Sequence, residues 1–340
     1  MNINLLQLQS VTEGAVRVTQ NEQGFHFYRF TQEQEALYKQ RDEDFYGKTF
    51  ASSGVQMHFE TDSDYMFLSA DVIRRISRSY FCLEVFVNGN RIDTISNFDE
   101  TVLPKNYTTV DFPTGHFSKR FSLGKGIKEI RIVFPFSAEV VLKTFEIAEG
   151  AMLKPLRHTD KLLCFGDSIT QGYDALYPSH KYTTQIAQWL GLEEVNKGIG
   201  GEIFFPELAN TKEDFMPKLI TVAYGTNDFV RCTKQEFEKN CRAFYHTLCK
   251  NYPSVKVIAF APIWRKEWQA PTDCGTFFEV AECIQNAVSE HENATFIPAF
   301  DCVPHDESLF ADGYLHPNDK GFMCYYENLK QKLSSILEQE

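Results

Sequence analysis

Four short segments in the second half of this 340-residue chain carry residue types that together can do nucleophilic chemistry. The first is Gly166-Asp167-Ser168-Ile169-Thr170, directly after the apolar run Lys161 to Phe165. If that run is a strand, Ser168 lies at its carboxyl end, where open parallel sheets place their ligand sites. The glycine permits a tight turn, and a serine entering a helical segment sits among free backbone N–H groups that can stabilise a developing oxyanion. A serine after a strand more often caps a helix, so this segment needs partners to mean catalysis. Threonine at position 170 separates it from the Gly-x-Ser-x-Gly elbow of the α/β-hydrolases.

The second segment, Asn196-Lys197-Gly198-Ile199-Gly200-Gly201, brings several glycines together and allows the backbone a close approach to a ligand. It lacks the Gly-Lys-Ser/Thr ending of a phosphate loop. The third, Gly225-Thr226-Asn227-Asp228, follows another apolar run, Leu219 to Tyr224. Asn227 can aim an amide N–H at an oxyanion there, although an asparagine turn or cap is the more ordinary role. The fourth is Asp312-Gly313-Tyr314-Leu315-His316-Pro317-Asn318. Histidine is the natural general base near neutral pH, and Asp312 can hold its Nδ1 proton so that Nε2 faces Ser168. Each segment alone has an ordinary structural explanation. Four in succession, three of them at strand ends, point to one site.

The elements that must position these residues alternate strand with helix. After Lys161 to Phe165 comes a helical face of Tyr182, Ile186, Trp189 and Leu190. The pattern repeats with Leu219 to Tyr224 before Phe237, Cys241, Phe244 and Leu248, and with Val255 to Pro262 before Phe278, Ala281, Ile284 and Val288. Ala294 to Phe300 and a closing helix from Asn318 to about Leu337 complete the set. Near-continuous apolar strands between amphipathic helices predict a parallel sheet covered on both faces. From about Gly24 to Ile147 the period is two instead, as in Val55-Gln56-Met57-His58-Phe59, with turns such as Asn88-Gly89-Asn90. That predicts a β-sandwich or jelly roll, with one short helix near Gln32 to Lys39. The expected domains are 1–153 and 154–340, the boundary falling near Ala151 to His158, where Pro155 interrupts any continuing element.

Hydrophobic residues at 43% and charged residues at 24% are ordinary for a globular protein, and the length suits two domains. A formal net charge of −12, without a basic run, argues against nucleic acid as a partner. Met1 to Gly14 lacks the basic start and apolar core of a secretory signal, and no apolar stretch is long enough to span a bilayer, so the expectation is a cytoplasmic protein without a membrane partner. Nine scattered cysteines suit free thiols in a reducing compartment. Cys and His do not cluster at zinc-site spacings, so no metal is expected.

The four segments resemble the blocks of the SGNH (GDSL-type) hydrolases over roughly Lys161 to the C-terminus. The resemblance implies Ser168 as nucleophile, His316 as base, and an oxyanion hole of Ser168, Gly201 and Asn227. It implies a flavodoxin-like α/β/α domain and a serine esterase that needs no cofactor. One feature departs: the last block usually reads Asp-x-x-His, whereas Asp312 lies four residues before His316. Asp312 remains the expected acid, with Asp306, Asp301 or a Ser–His dyad oriented by a backbone carbonyl as alternatives. An N-terminal β-sandwich before such a domain is similar to the two-domain carbohydrate esterases that remove acetyl groups from polysaccharides. This implies a short acyl group, acetyl above all, on a small-molecule or oligosaccharide ester. Asp167, Tyr173, Trp264 and Arg265 are the candidate substrate-binding residues, with Asp174 beside Tyr173 a further pocket-lining candidate; Asp167 also suits a turn-fixing role, and Trp264 equally suits a packing one. The rival readings are a lipase or thioesterase of the same family, or a non-catalytic carbohydrate-binding protein. The β-domain has either a sugar-binding or a purely structural role, and an oligomer is compatible with both.

Overall fold

The computed structural model describes residues 1–99, 103 and 106–338; the last two residues of the expected second domain lie outside these. The chain divides into two compact units. One comprises Met1–Thr159, Leu176–Ser179 and Glu193–Val195; the other comprises Asp160–Ala175, His180–Leu192 and the residues from Asn196 onward.

The first unit is built from α1 (Leu5–Val11), β1 (Thr12–Glu13), β2 (Arg17–Asn21), β3 (Gly24–Tyr28), α2 (Gln32–Arg41), α3 (Glu43–Thr49), β4 (Gln56–Thr61), β5 (Tyr65–Arg74), β6 (Cys82–Val87), β7 (Asn90–Ser96), β8 (Gly115–Ser122), β9 (Lys128–Val133), β10 (Ala138–Ile147) and β11 (Lys154–Pro155). One sheet has the order β1-β4-β9-β6-β7 with β11 also on β4, and the other has the order β2-β3-β10-β5-β8. Their pairings are antiparallel. Period-two patterning sets the register. Met57 faces Ile132 and Phe59 faces Ile130 across one sheet, Leu68 faces Phe145 across the other, and all six side chains are buried in a common core. Two stacked antiparallel sheets with alternating inward apolar residues make the expected sandwich.

Two features differ from the sequence expectation. Helices α1 and α3 join the anticipated α2. Each has only seven residues, too few for helical periodicity to emerge, and local caps define their starts. Asn4 and Gln7 form a capping box before α1, and the Asp42 carboxylate accepts from Asp44 N and Phe45 N before α3. Pro155 also does not end the regular structure. It lies in the two-residue β11, opposite Phe59 of β4, where a missing N–H is tolerated on an edge.

The second part of the chain supplies β12 (Lys161–Gly166), α4 (Ser168–Gln171), α5 (Tyr182–Leu190), β13 (Glu193–Asn196), α6 (Pro206–Asn210), β14 (Leu219–Ala223), α7 (Asp228–Arg231), α8 (Lys234–Asn251), β15 (Lys256–Phe260), α9 (Phe277–Ser289), β16 (Ala294–Ile297) and α10 (Asp319–Leu337). The sheet order is β13-β12-β14-β15-β16, with β12, β14, β15 and β16 parallel. Counted from β12 this is 2-1-3-4-5, the flavodoxin-like order. Leu162 to Phe165, Leu219 to Val222 and Val257 to Phe260 are buried without alternation, as strands covered on both faces must be. Helices α5 and α10 pack together, as do α6, α8 and α9. The nine cysteines form no disulfide. Among the described residues no helix is long and apolar enough to cross a membrane.

Candidate active site

In the 2-1-3-4-5 order the direction in which strands are added to the sheet reverses between β12 and β14, which opens a crevice at their carboxyl ends. Ser168 follows β12 and Asn227 follows β14, so the topology alone brings the first and third segments to one place. Asp167 caps α4, its side chain accepting from Ile169 N at 2.9 Å, and Ser168 begins the helix. The cap that the sequence allowed for the serine is thus performed by its neighbour.

The second segment is stitched to the first. Asn196 Nδ2 donates to Thr170 O at 2.7 Å, Gly200 N donates to Gln171 Oε1 at 2.8 Å, and Ile199 N donates to Gly166 O at 3.1 Å. Gly200 is demanded by closeness: a Cβ there would lie 2.3 Å from the Tyr173 hydroxyl. Gly201 has φ +87°, a conformation that favours glycine. The third segment is tied to the second by Asp228, which accepts from Phe204 N at 3.0 Å and Gly225 N at 3.1 Å. Asn227 precedes α7 but makes no capping bond with its side chain; its Nδ2 donates to Glu202 O at 2.9 Å.

His316 completes the constellation. Its Nε2 is 2.8 Å from Ser168 Oγ and its Nδ1 is 2.7 Å from Asp312 Oδ2. The other Asp312 oxygen accepts from Tyr314 N, Leu315 N and His316 N at 2.9, 2.8 and 3.1 Å. The loop thereby folds around its own carboxylate, and a spacing of four still meets the imidazole. Asp306 caps a 3-10 turn and Asp301 pairs with His305, so neither alternative acid reaches His316. The dyad alternative also gives way, because a carboxylate rather than a carbonyl faces Nδ1. Burial raises the Asp312 pKa, but the His316 ring and the loop N–H groups outweigh it and bring the value to about 2.

A second carboxylate, which the sequence placed only along the pocket, also meets the ring. Asp174 Oδ2 lies 3.5 Å from His316 Nδ1, on a fully buried side chain whose backbone has φ +71°. Asp is among the few non-glycine residues that enter this region readily, and nothing in the sequence signalled that its carboxylate would turn to the imidazole. Asp174, Asp312 and His316 each present a potential ligand atom within 4.8 Å of the others. In this arrangement the carboxylates face the nitrogen whose proton must be held, while the opposite nitrogen meets the serine.

The four expected substrate-binding residues are occupied within the protein. Asp167 is the buried cap described above. Tyr173 is 5% exposed and stacks on His316, ring centroids 5.5 Å apart. Trp264 is 7% exposed and packs against Phe310 and His305, which fits its packing role and not a platform for a sugar. Arg265, 2% exposed, donates to Thr226 O at 2.7 Å and to the Tyr314 hydroxyl at 2.5 Å. It bridges the loops carrying Asn227 and His316 rather than reaching for hydroxyls. Burial pushes the carboxyls of Asp167 and Asp228 up to about 7, and the neighbouring Glu202 adds to both shifts.

Residues 164–323 match the model of the GDSL-like lipase/acylhydrolase family. The chain carries a GDSL-like lipase/acylhydrolase domain. That match spans all four segments of the GDSL-like domain, from Gly166 to His316. No curated protein sequence matches the chain. Among solved structures, the salicylyl-acyltransferase SsfX3 from a tetracycline biosynthetic pathway superposes with a TM-score of 0.79 at 19% identity, covering 96% of this chain and 94% of that one. A GDSL-like lipase from Bacteroides ovatus gives 0.76 at 18% identity, with 99% and 98% covered. An acetyl xylan esterase from the rumen bacterium Butyrivibrio proteoclasticus gives 0.64 at 14%, also with 99% and 98% covered. At these identities the likeness establishes a shared fold, in which the β-rich unit and the GDSL-like domain recur together.

Proposed function

We propose that this GDSL-like protein is a serine esterase that removes short acyl groups, acetyl first among them, from carbohydrate alcohols. The observation that carries the reading is the unbroken relay from Asp312 through His316 to Ser168, with contacts of 2.7 and 2.8 Å. His316 Nε2 takes the Ser168 proton as Oγ attacks the ester carbonyl, and Asp312 holds the other ring proton and offsets the imidazolium charge. The oxyanion is received by the Ser168 and Gly201 amides and by Asn227. An amide nitrogen carries two hydrogens, so Asn227 retains one beyond its bond to Glu202 O. His316 then returns its proton to the leaving alcohol, and water activated by the same ring releases the acid from the acyl-serine. The acid is the only group that leaves with the acyl carbon, and no cofactor enters the cycle.

The acetyl and carbohydrate assignments rest on the fold shared with the acetyl xylan esterase. A second reading has one observation of its own: the salicylyl-acyltransferase superposes with the higher TM-score, 0.79. Under it the acyl-serine is intercepted by an alcohol instead of water. Both readings use the same Ser168 and His316, and product analysis separates them. Nitrophenyl esters of increasing acyl length and acetylated xylo-oligosaccharides are supplied with and without a competing alcohol. Rates that peak at acetate, with free acetic acid as product, support the esterase. Ester formed on the added alcohol in preference to acid supports the transferase, and no turnover of any ester removes both.

A further inference from the structure

The β-rich unit contains a second cluster of ligating side chains, none of them a member of the relay. Antiparallel β9 occupies one edge of β4 along its whole length, so β1 and β11 share the other edge in succession. Glu13 ends β1 opposite Gln56, and the chain leaving β11 is held by Leu156 N to His58 O at 3.1 Å before reaching His158. Residues 13, 58 and 158 thus converge where the two short strands abut. One atom from each of Glu13, His58 and His158 lies within 4.8 Å of the others.

Each member is braced from outside. Gln56 Nε2 donates to Glu13 Oε2 at 2.6 Å, leaving Oε1 to face His158 Nδ1 at 2.9 Å. The backbone N–H of His158 also bonds to that oxygen, at 2.5 Å. His58 Nε2 meets Glu129 Oε1 at 2.9 Å, which turns the opposite nitrogen inward, and that buried Nδ1 has no hydrogen-bond partner among the described residues. A carboxylate behind a histidine, with the other ring nitrogen free and turned toward two further donors, is how metal-ligating histidines are oriented. The nearby cation Arg157 is paired with Glu193 at 3.2 Å, while Arg131 packs over Phe86.

We propose that Glu13, His58 and His158 form a binding site for a divalent transition metal, zinc foremost, with water in the fourth position. Two imidazoles and one carboxylate are a donor set zinc accepts, at roughly 2.0 to 2.2 Å from each atom. Binding displaces the proton shared by Glu13 and His158: the nitrogen lone pair passes to the metal and the proton leaves to solvent. The metal clips the segment after β11 to β1 and β4 within this unit. The donors come from positions 13, 58 and 158, so the short spacings by which zinc sites are found in sequences do not occur, and the sequence expectation of no metal missed the site for that reason.

The test uses the full chain stripped with a chelator and titrated with Zn²⁺ by calorimetry, then with Co²⁺ while the visible absorption of a tetrahedral complex is followed. The expected result is one metal per chain. Its affinity should fall about 100-fold or more in His58→Ala and His158→Ala, and about 10- to 100-fold in Glu129→Gln, which leaves all three donors in place. Binding should persist in His316→Ala, which alters the other three-residue group. His158 is 30% exposed, so its variant should keep the far-ultraviolet circular dichroism of the parent. The proposal is overturned if the stripped protein takes up no zinc at micromolar metal, if uptake is unchanged in both histidine variants, or if only His316→Ala abolishes it.

Discussion

Asp312 lies four residues before His316 and still meets its Nδ1 at 2.7 Å, because its second oxygen gathers the N–H groups of Tyr314, Leu315 and His316 into a closed loop. The carboxylate organises the backbone with one oxygen and orients the His316 imidazole with the other. Asp312→Asn keeps the shape but places an amide against the imidazole. We expect kcat to fall on the order of 1,000- to 10,000-fold with KM little changed, as measured with nitrophenyl acetate. A loss below tenfold would show that Asp174, 3.5 Å from the same nitrogen, takes over the role.

Asn227→Ala removes the side-chain donor assigned to the oxyanion. Its rate should drop about 100- to 1,000-fold, mainly in kcat. The same variant frees Glu202 O, so the thermal midpoint should be recorded alongside. A full loss of rate at unchanged midpoint separates the electrostatic role from a structural one.

Asp167 and Asp228 make stability depend on pH. Their folded values of about 7 lie above the ordinary carboxylate value of roughly 3.9, so the folded state binds more protons than the unfolded chain between these limits. Their contribution is fully present below about pH 4 and is lost as pH rises through 7, a tenfold difference in proton affinity between folded and unfolded chain being worth ~1.4 kcal/mol. Asp312 works in the opposite sense, and its contribution fades only as pH falls toward 2. Urea midpoints should therefore decline from pH 5 to pH 8, and Asp167→Asn should flatten the decline. A midpoint that rises over this range would contradict the burial argument.

Lys197, within the glycine-rich segment, forms a fully buried ion pair with Glu213 at 2.8 Å. Lys197→Met strands a carboxylate and should cost about 3 to 5 kcal/mol. Lys197→Met/Glu213→Leu should recover most of that. Urea denaturation of both variants decides it.

The reach of the sequence follows from the range of the interactions involved. Apolar runs from Leu162, Leu219 and Val257 announced buried parallel strands, and alternation around Met57 announced the sandwich, because both patterns are local. Ser168, Asn227 and His316 were legible since each sits in a short segment with its own turn chemistry. Asp174 was legible only as a pocket-lining residue, because its approach to His316 depends on a left-handed backbone conformation set by the surrounding fold. Arg265 was assigned to substrate from its place after a strand, whereas its partners Thr226 and Tyr314 come from two other loops. Helices α1 and α3 escaped because a cap and about two turns of helix leave no periodic trace.

The central claim is that Ser168 is the nucleophile and His316 its base. The most direct test exposes the protein to a fluorophosphonate, digests it and locates the adduct by mass spectrometry. One stable adduct is expected on the peptide containing Ser168, strongly slowed in His316→Ala and missing in Ser168→Ala together with all ester hydrolysis. An unlabelled Ser168, or a Ser168→Ala variant that hydrolyses nitrophenyl acetate at the parent rate, would contradict it.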